Sequence, residues 1–243
     1  MEKIICTHAK AAFWYTSDAI SQAKSRNPQL GKRGHLMRPG MMPPDFGGVK
    51  YSPSDKLKFC YFGGLTPERN LGLLTDALSR LLKKRPELSS VLEVHQYGGK
   101  MDKISQEGFK QLPDSILVPH GRLETDPVTG KSGRQRVLEQ MRKSDILILM
   151  HGQGEICQLY LPSKIYEYLW AQRPVLLFSP VPNHWDDILD FSNHYIIDQS
   201  DPIDIDETLK RLVADWQREK LSDRPISQAS VSYTHLTLPT KRI

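Results

Sequence analysis

The sequence predicts an α/β fold with a doubly wound parallel sheet. After about residue 55, short apolar segments typical of buried strands alternate with segments of helical periodicity, and the connections between them are short. Such alternation is typical of a parallel sheet with helices on both faces. The six predicted strands are 58–62, 91–97, 116–119, 146–150, 175–178 and 195–197.

The clearest predicted helix follows the first of these strands. Leu71, Leu74, Leu78 and Leu81 recur at helical spacing and form one apolar face. We expect this face to pack on the sheet.

Several candidate site residues directly follow predicted strands. Ligands of doubly wound sheets bind beyond the carboxyl ends of the strands. Gly63, His120 and His151 all fall at such ends, so we expect them to converge on one edge. Each histidine is a candidate for ligand contact, with a structural role as the alternative.

Segment 162–178, PSKIYEYLWAQRPVLLF, has the pattern of a phosphate-holding helix start followed by a buried strand. Pro162 suits the first helical turn. Ser163 and Lys164 lie where free N–H groups and the helix dipole favour an anion. Glu167, about 6 Å further along the axis, is placed to accept hydrogen bonds from a ribose diol. The segment suits a nucleoside diphosphate; the alternative is that Ser163 only caps the helix and Lys164 only extends to solvent.

Segment 62–81, FGGLTPERNLGLLTDALSRL, adds a second candidate phosphate site. Gly63 and Gly64 allow backbone to approach a ligand closely. Thr66 and Pro67 suit the N-cap and first positions of a helix. Arg69 can bind phosphate with two parallel hydrogen bonds.

These two segments, in this order, resemble the donor-site motifs of GT-B glycosyltransferases, in the group with many bacterial cell-surface polysaccharide enzymes. The resemblance covers roughly residues 10 to 220. It implies the Rossmann-like C-terminal domain of a GT-B fold, which binds a nucleotide-sugar donor without a bound metal or another cofactor. The implied donor-binding residues are Gly63, Gly64, Arg69, His120, His151, Ser163, Lys164 and Glu167.

The sequence departs from the family pattern at two places. The family has an arginine or a similar residue where Gly64 stands. It also has two glutamates eight residues apart; Glu167 matches the second, but Leu159 occupies the position of the first. Glu155, in the preceding loop, is the candidate substitute.

The resemblance also implies a domain organisation. Residues 1–37, with a predicted strand at AAFWYTS and a helix at 18–26, are expected to be a remnant of an N-terminal acceptor domain. Residues 38–55 contain the proline- and glycine-rich RPGMMPPDFGG and are the expected interdomain linker. Residues 56–222 form the expected donor-binding domain, and 223–243 a tail.

Residues 231–243 of that tail, VSYTHLTLPTKRI, are expected not to belong to the natural protein. Their first ten residues match the translation of a transposase-type sequencing adapter. A genuine polar C-terminal tail is the alternative.

The composition favours a globular protein without nucleic-acid partners. The hydrophobic share of 39% and the charged share of 25% are ordinary. Without Lys241 and Arg242 of the expected adapter segment, the net charge of +5 becomes 5 − 2 = +3, a mild basic excess. No apolar run approaches the ~18 residues that span a bilayer. Cys6, Cys60 and Cys157 lack metal-ligand spacing and suit reduced thiols in a cytoplasm.

Two further motifs have weaker interpretations. Gly130-Lys131-Ser132 is similar to the end of a phosphate-binding P-loop, but Thr125 stands where the earlier glycine is required. Asp204-Ile205-Asp206 is similar to the metal-binding DxD of another glycosyltransferase fold, although helix capping is the favoured interpretation.

The leading hypothesis is the donor domain of a glycosyltransferase that transfers a sugar from a nucleoside diphosphate to a glycan or lipid-linked acceptor. We expect the full-length enzyme to be cytoplasmic, with association at the inner face of the membrane as a further expectation, and no catalytic residue is assigned. The alternatives are a GT-B epimerase or phosphorylase and a non-catalytic, flavodoxin-like interaction module.

Overall fold

The fold contains two parallel sheets, one of six strands and one of two. A computed structural model describes residues 1–37, 40–152, 154, 157, 159–180, 185 and 194–223. The expected adapter segment therefore lies outside the described residues. None of the helices in the described ranges is long and apolar enough to cross a membrane.

The first 37 residues form a small unit around the two-stranded sheet, and the strand and helix predicted there are confirmed. Its elements are α1 (Glu2–His8), β1 (Ala12–Trp14), α2 (Ser17–Arg26), a 3₁₀ helix (Pro28–Arg33) and β2 (Gly34–Leu36). Cys6, Ala12, Ala23 and Leu30 form its buried centre. Whether this unit is a remnant of an acceptor domain stays a prediction.

The larger sheet contains all six predicted strands, in doubly wound order. They are β3 (Leu57–Phe62), β4 (Leu92–Tyr97), β5 (Leu117–Gly121), β6 (Ile146–Met150), β7 (Val175–Ser179) and β8 (Tyr195–Asp198). Their order across the sheet is β5-β4-β3-β6-β7-β8, and every neighbouring pair is parallel. All five residues of β6 and of β7 are buried, because helices cover both faces.

Helices cover the two faces in separate groups. The first face packs against α3 (Gly72–Lys84), α4 (Lys103–Lys110) and α7 (Pro202–Gln217), and the second against α5 (Gly133–Lys143) and α6 (Lys164–Trp170). Side chains alternate along β3 accordingly, since Phe59 and Tyr61 face the first group while Cys60 and Phe62 face the second.

Helix α3 has the predicted apolar face, but it does not begin where the sequence suggested. The leucines at 71, 74, 78 and 81 are all buried. Thr66 and Pro67 do not cap the helix, since Thr66 and Arg69 exchange two backbone hydrogen bonds in a tight turn. The helix begins at Gly72, where the Leu71 N–H donates to Ser105 Oγ at 2.8 Å. A partner 34 residues away thus fixes the start of α3.

The Asp204-Ile205-Asp206 sequence lies inside α7 and begins three residues past the N-cap, so it does not cap the helix as its pattern suggested. Asp201 is the N-cap, and its carboxylate accepts from the N–H groups of Ile203 and Asp204. The Asp206 carboxylate pairs with Arg80 on α3 at 2.7 Å. Both roles are structural.

A buried arginine ties three segments together at the amino-terminal edge of the sheet. The Arg173 side chain is fully buried and donates to the Ser144 and Leu221 carbonyl oxygens and to the Asp223 carboxylate. Its guanidinium also lies 3.3 Å from the ring centroid of Tyr51, in the expected linker. The linker and the segment after α7 are therefore held at one point.

Candidate functional site

The candidate site lies where the strand order reverses. Strands β4 and β5 extend from one side of β3, whereas β6, β7 and β8 extend from the other. In doubly wound sheets, the crevice at such a switch point is the usual place for a ligand. Gly63 follows β3 and His151 follows β6, so both flank this crevice.

Glycines at the ends of β3, β4 and β5 continue the backbone hydrogen bonding of the sheet beyond the strands. The Gly63 N–H donates to the Tyr97 carbonyl, and the Gly98 N–H donates to the Gly121 carbonyl, both at 2.8 Å. Gly63 and Gly98 have φ of 126° and 141°, in a region that side chains disfavour. Glycine at these positions leaves the crevice floor without side chains.

The ammonium group of Lys164 lies against this glycine floor. A Cβ atom placed on Gly63 would be 3.4 Å from Lys164 Nζ. Burial lowers the pKa of Lys164 despite the opposing charge of Glu167, and the charges of Arg134 and Arg69 lower this pKa further. Within the described residues, no carboxylate lies in ion-pairing distance of Lys164. The site therefore has a surplus of positive charge suited to an anion.

The start of α6 leaves its first polar side chain exposed. Ser163 is the N-cap with φ −59° and ψ −23°, and its side chain makes no capping hydrogen bond. The Pro162 carbonyl accepts from the Ile165 N–H at 3.1 Å. Ser163 is thus not engaged as a cap and lies beside Lys164.

Glu167 has a partner that the sequence analysis missed. Arg134 donates to both of its carboxylate oxygens, from Nη2 to Oε1 at 2.9 Å and from Nη1 to Oε2 at 3.1 Å. The two residues are 33 positions apart and on different helices, so no local pattern indicates the pair.

Arg69 lies in the loop between β3 and α3 and contributes to the same positive region. Its Nε is buried and has no hydrogen-bond partner among the described residues. Its charge lowers the pKa of Lys164 and opposes the rise that burial causes in the pKa of Tyr61. The Tyr61 hydroxyl in turn donates to the Gly64 carbonyl at 2.9 Å, and Gly64 is exposed.

His120 belongs to a stack of rings that crosses three strands. Its ring stacks on Tyr97 with centroids 4.2 Å apart, and Tyr97 stacks on Phe62 at 4.7 Å. The His120 Nε2 is 2.9 Å from Nδ1 of His95. Burial, followed by the charge of His95, lowers the pKa of His120. The ring lies on the edge strand, two strands away from β3.

His151 is buried beneath the crevice. Its Nε2 is 3.1 Å from the Tyr160 carbonyl oxygen, and its ring meets the Trp185 ring edge-on at 5.9 Å. These contacts match the structural alternative better than ligand contact. Glu155, the candidate substitute for the first family glutamate, lies outside the described residues.

A cavity of about 1090 Å³ lies elsewhere, at the amino-terminal edge beside Tyr51 and Trp216. Its lining includes four acids, namely Asp55, Glu87, Glu219 and Asp223. The described residues that line this cavity include no lysine or arginine, which disfavours a diphosphate, so the Lys164 crevice is the better candidate.

No family model and no curated protein matches the sequence, but solved structures match the fold. A glycosyltransferase from Rickettsia africae aligns with a TM-score of 0.62 at 11% identity, over 90% of this chain and 59% of its own. WaaG, a glycosyltransferase involved in lipopolysaccharide biosynthesis, gives 0.59 at 14% identity, over 93% of this chain and 58% of its own. Anabaena HepE, in complex with UDP and glucose, gives a TM-score of 0.57 at 12% identity, over 93% of this chain and 59% of its own.

The chain thus has the α/β architecture of GT-B glycosyltransferases. Its six-stranded parallel sheet is the Rossmann-like domain of that fold, as the sequence predicted. The chain spans less than two thirds of the length of each of these structures.

Proposed function

We propose that this domain binds the nucleoside diphosphate of a nucleotide-sugar donor and serves a glycosyltransferase. The observation that carries the proposal is the ammonium of Lys164, which lies against the Gly63 backbone without a carboxylate partner among the described residues. A lysine held in this way gains a counter-ion when a phosphate binds, because the anion offsets the cost of its burial. The position at the switch point of the sheet supports the same ligand.

Each neighbouring group has a role in this proposal. Lys164 and Arg69 bind the diphosphate, and the exposed Ser163 at the start of α6 adds a hydroxyl donor. Gly63 and Gly64 give the ligand access to backbone. Glu167 accepts hydrogen bonds from the ribose, and His120 remains a candidate for a weaker contact.

These cations also suit the chemistry of sugar transfer. As the bond between the sugar and the diphosphate breaks, negative charge grows on the leaving phosphate oxygen. Fixed positive groups stabilise that charge without reorganisation, which is the role of electrostatic preorganisation in catalysis. Lys164 and Arg69 are the groups proposed for this role, and the reaction so described needs no metal.

The proposed acceptor is a glycan or a lipid-linked sugar at the cytoplasmic face of a membrane. WaaG, whose fold the chain shares, is involved in lipopolysaccharide biosynthesis. Transfer also requires the acceptor to be held in attacking geometry, and positioning of this kind contributes about 7 to 11 kcal/mol. We expect the 243-residue chain by itself to bind donor without transferring sugar.

Calorimetry with UDP and GDP tests the proposal. Lys164→Ala and Arg69→Ala should each weaken binding of the preferred nucleotide by about 1.5 to 3 kcal/mol, the value of a charged hydrogen bond. Lys110→Ala is the matched control, since Lys110 pairs with Glu107 on the exposed side of α4. Unchanged affinity in both site variants would refute the site, and absence of binding by the unmodified chain would favour the non-catalytic alternative.

A second assay separates the enzymatic alternatives. The chain is incubated with a radiolabelled nucleotide-sugar, with and without lipid-linked acceptor. Epimerised sugar formed without acceptor would favour an epimerase over a transferase. Acceptor-dependent transfer would show that the chain is a complete enzyme and that the expected domain boundaries are wrong.

A further inference from the structure

Arg134 occupies the edge of Glu167 that a ribose diol would use. The guanidinium presents two parallel N–H groups to the two carboxylate oxygens, at 2.9 and 3.1 Å. A pair of neighbouring hydroxyl groups that donates to both oxygens of one carboxylate approaches the same edge. The two donors therefore compete, because each oxygen offers one lone pair in that direction.

The backbone of Arg134 is fixed, whereas its side chain has room to move. Ser132 caps α5 by accepting from the Gln135 N–H. A Cβ atom on Gly133 would lie 2.0 Å from the Leu123 carbonyl oxygen, so the helix start is seated directly on the preceding loop. The Arg134 side chain is 51% exposed, compared with 19% for Glu167. Rotation of the arginine side chain thus requires no movement of the helix.

The Gly130-Lys131-Ser132 segment leads directly into α5. Ser132 caps the helix, and the glycine that follows allows the close approach to Leu123. Together they place Arg134 on the first turn of α5, facing α6. The segment thereby directs the Arg134 guanidinium toward the site.

Arg134 also lies within electrostatic range of the proposed phosphate position. Its charge is one of two that lower the pKa of Lys164. In the described part of the chain, the Arg134 side chain makes hydrogen bonds only to Glu167. Its release from Glu167 would therefore break no other hydrogen bond. A guanidinium released from Glu167 is therefore close to where a diphosphate would bind.

We propose that Arg134 exchanges partners when nucleotide binds, pairing with Glu167 in the empty site and with a phosphate oxygen once the ribose diol occupies Glu167. This inference rests on the proposed function, since it assumes that Lys164 and Glu167 bind phosphate and ribose. Before binding, the pair orients the Glu167 carboxylate. After binding, the same arginine adds a cation to the diphosphate site.

The exchange predicts effects of opposite sign for two ligands. Uridine has the diol but no phosphate. Arg134→Ala should strengthen uridine binding about threefold, because the diol no longer has to displace a half-exposed ion pair from Glu167. UDP has both groups, so the same substitution should weaken its binding about tenfold through loss of a charged hydrogen bond. NMR titration suits the weak uridine complex, and calorimetry suits UDP.

Arg136→Ala provides the matched control. Arg136 lies on the same helix, and its Nη1 donates to the Glu124 carbonyl at 2.7 Å. We expect this variant to leave both affinities unchanged. Because Arg134 is half exposed, thermal unfolding of the Arg134→Ala variant should match that of the unmodified chain.

Other outcomes identify which claim fails. If Arg134→Ala weakens uridine and UDP equally, Arg134 only orients Glu167, and the exchange is wrong. If neither affinity changes while Lys164→Ala still weakens UDP binding, the exchange is wrong and the proposed function stands. If the unmodified chain binds neither ligand, both proposals fail.

Discussion

Gly98 lies directly against the carbonyl group of Gly63. A Cβ atom on Gly98 would be 2.3 Å from the Gly63 oxygen, well inside van der Waals contact. The loop after β4 therefore packs against the loop after β3, whose Gly63 lies next to the Lys164 ammonium.

Gly98→Ala should destabilise the domain by about 1 to 3 kcal/mol through backbone strain alone, with a further cost from the contact with Gly63. It should also weaken nucleotide binding, because Gly63 must shift. Urea unfolding and calorimetry measure the two effects. Gly99→Ala is the control, since no atom lies within 4 Å of its added Cβ. Equal stability of the two variants would show that the loops adjust freely.

Nucleotide affinity should fall at alkaline pH in a way that depends on Lys164. Burial lowers the pKa of this lysine below its ordinary value of 10.5, and a bound diphosphate favours the charged form. Affinity should be constant below the lowered pKa and should fall as pH rises through it. Calorimetry between neutral pH and about pH 10 detects the fall. Lys164→Arg should abolish it, because arginine stays charged; an identical fall in that variant would assign the titration elsewhere.

Acid should destabilise the domain through His120. The pKa of this histidine is lowered below its ordinary value of 6.5, first by burial and then by His95. Between pH 6.5 and the lowered pKa of His120, the unfolded chain binds more protons than the folded chain. The free energy of unfolding therefore declines as pH falls through this window. His120→Phe keeps a ring against Tyr97 and should reduce the decline. Urea unfolding at about pH 7.5 and 5.5 tests this, and an unaltered decline would contradict it.

Replacing Arg173 should lower the free energy of unfolding far more than replacing an exposed arginine. Arg173→Met leaves the buried carbonyl groups of Ser144 and Leu221 without their donor, and each such group costs about 1 to 3 kcal/mol; Asp223 keeps its pair with Arg142. Arg85→Met should cost less than about 1 kcal/mol, since Arg85 pairs with Glu87 at the surface. Urea unfolding measures both. Nucleotide affinity of the folded Arg173→Met variant should be unchanged, because this cluster lies at the opposite edge of the sheet.

The strands could be predicted because their signals are local. Segments such as Ile146–Met150 are apolar throughout and end at polar residues or glycine, which is what burial on both faces requires. The convergence of Gly63 and Lys164 at one edge also follows from strand direction alone. These inferences need only periodicity and the parallel arrangement.

The remaining features depend on partners that are distant in sequence. The start of α3 is set by Ser105 on another helix, so the local capping pattern at Thr66 was misleading. The pairing of Arg134 with Glu167 likewise spans two helices. For His151, the sequence places the residue at a strand end but does not show that its ring is buried beneath the crevice. Such details follow from packing in three dimensions.

The cluster around Arg173 affects the cellular abundance of the protein but not the binding activity of each folded molecule. Tyr51, before the large sheet, and Asp223, after its last helix, both meet this one guanidinium. A substitution there would raise the unfolded fraction that proteases remove, whereas every surviving molecule would bind as before. Selection by growth would therefore score such a variant as defective, and only an assay normalised to folded protein would show an intact binding site.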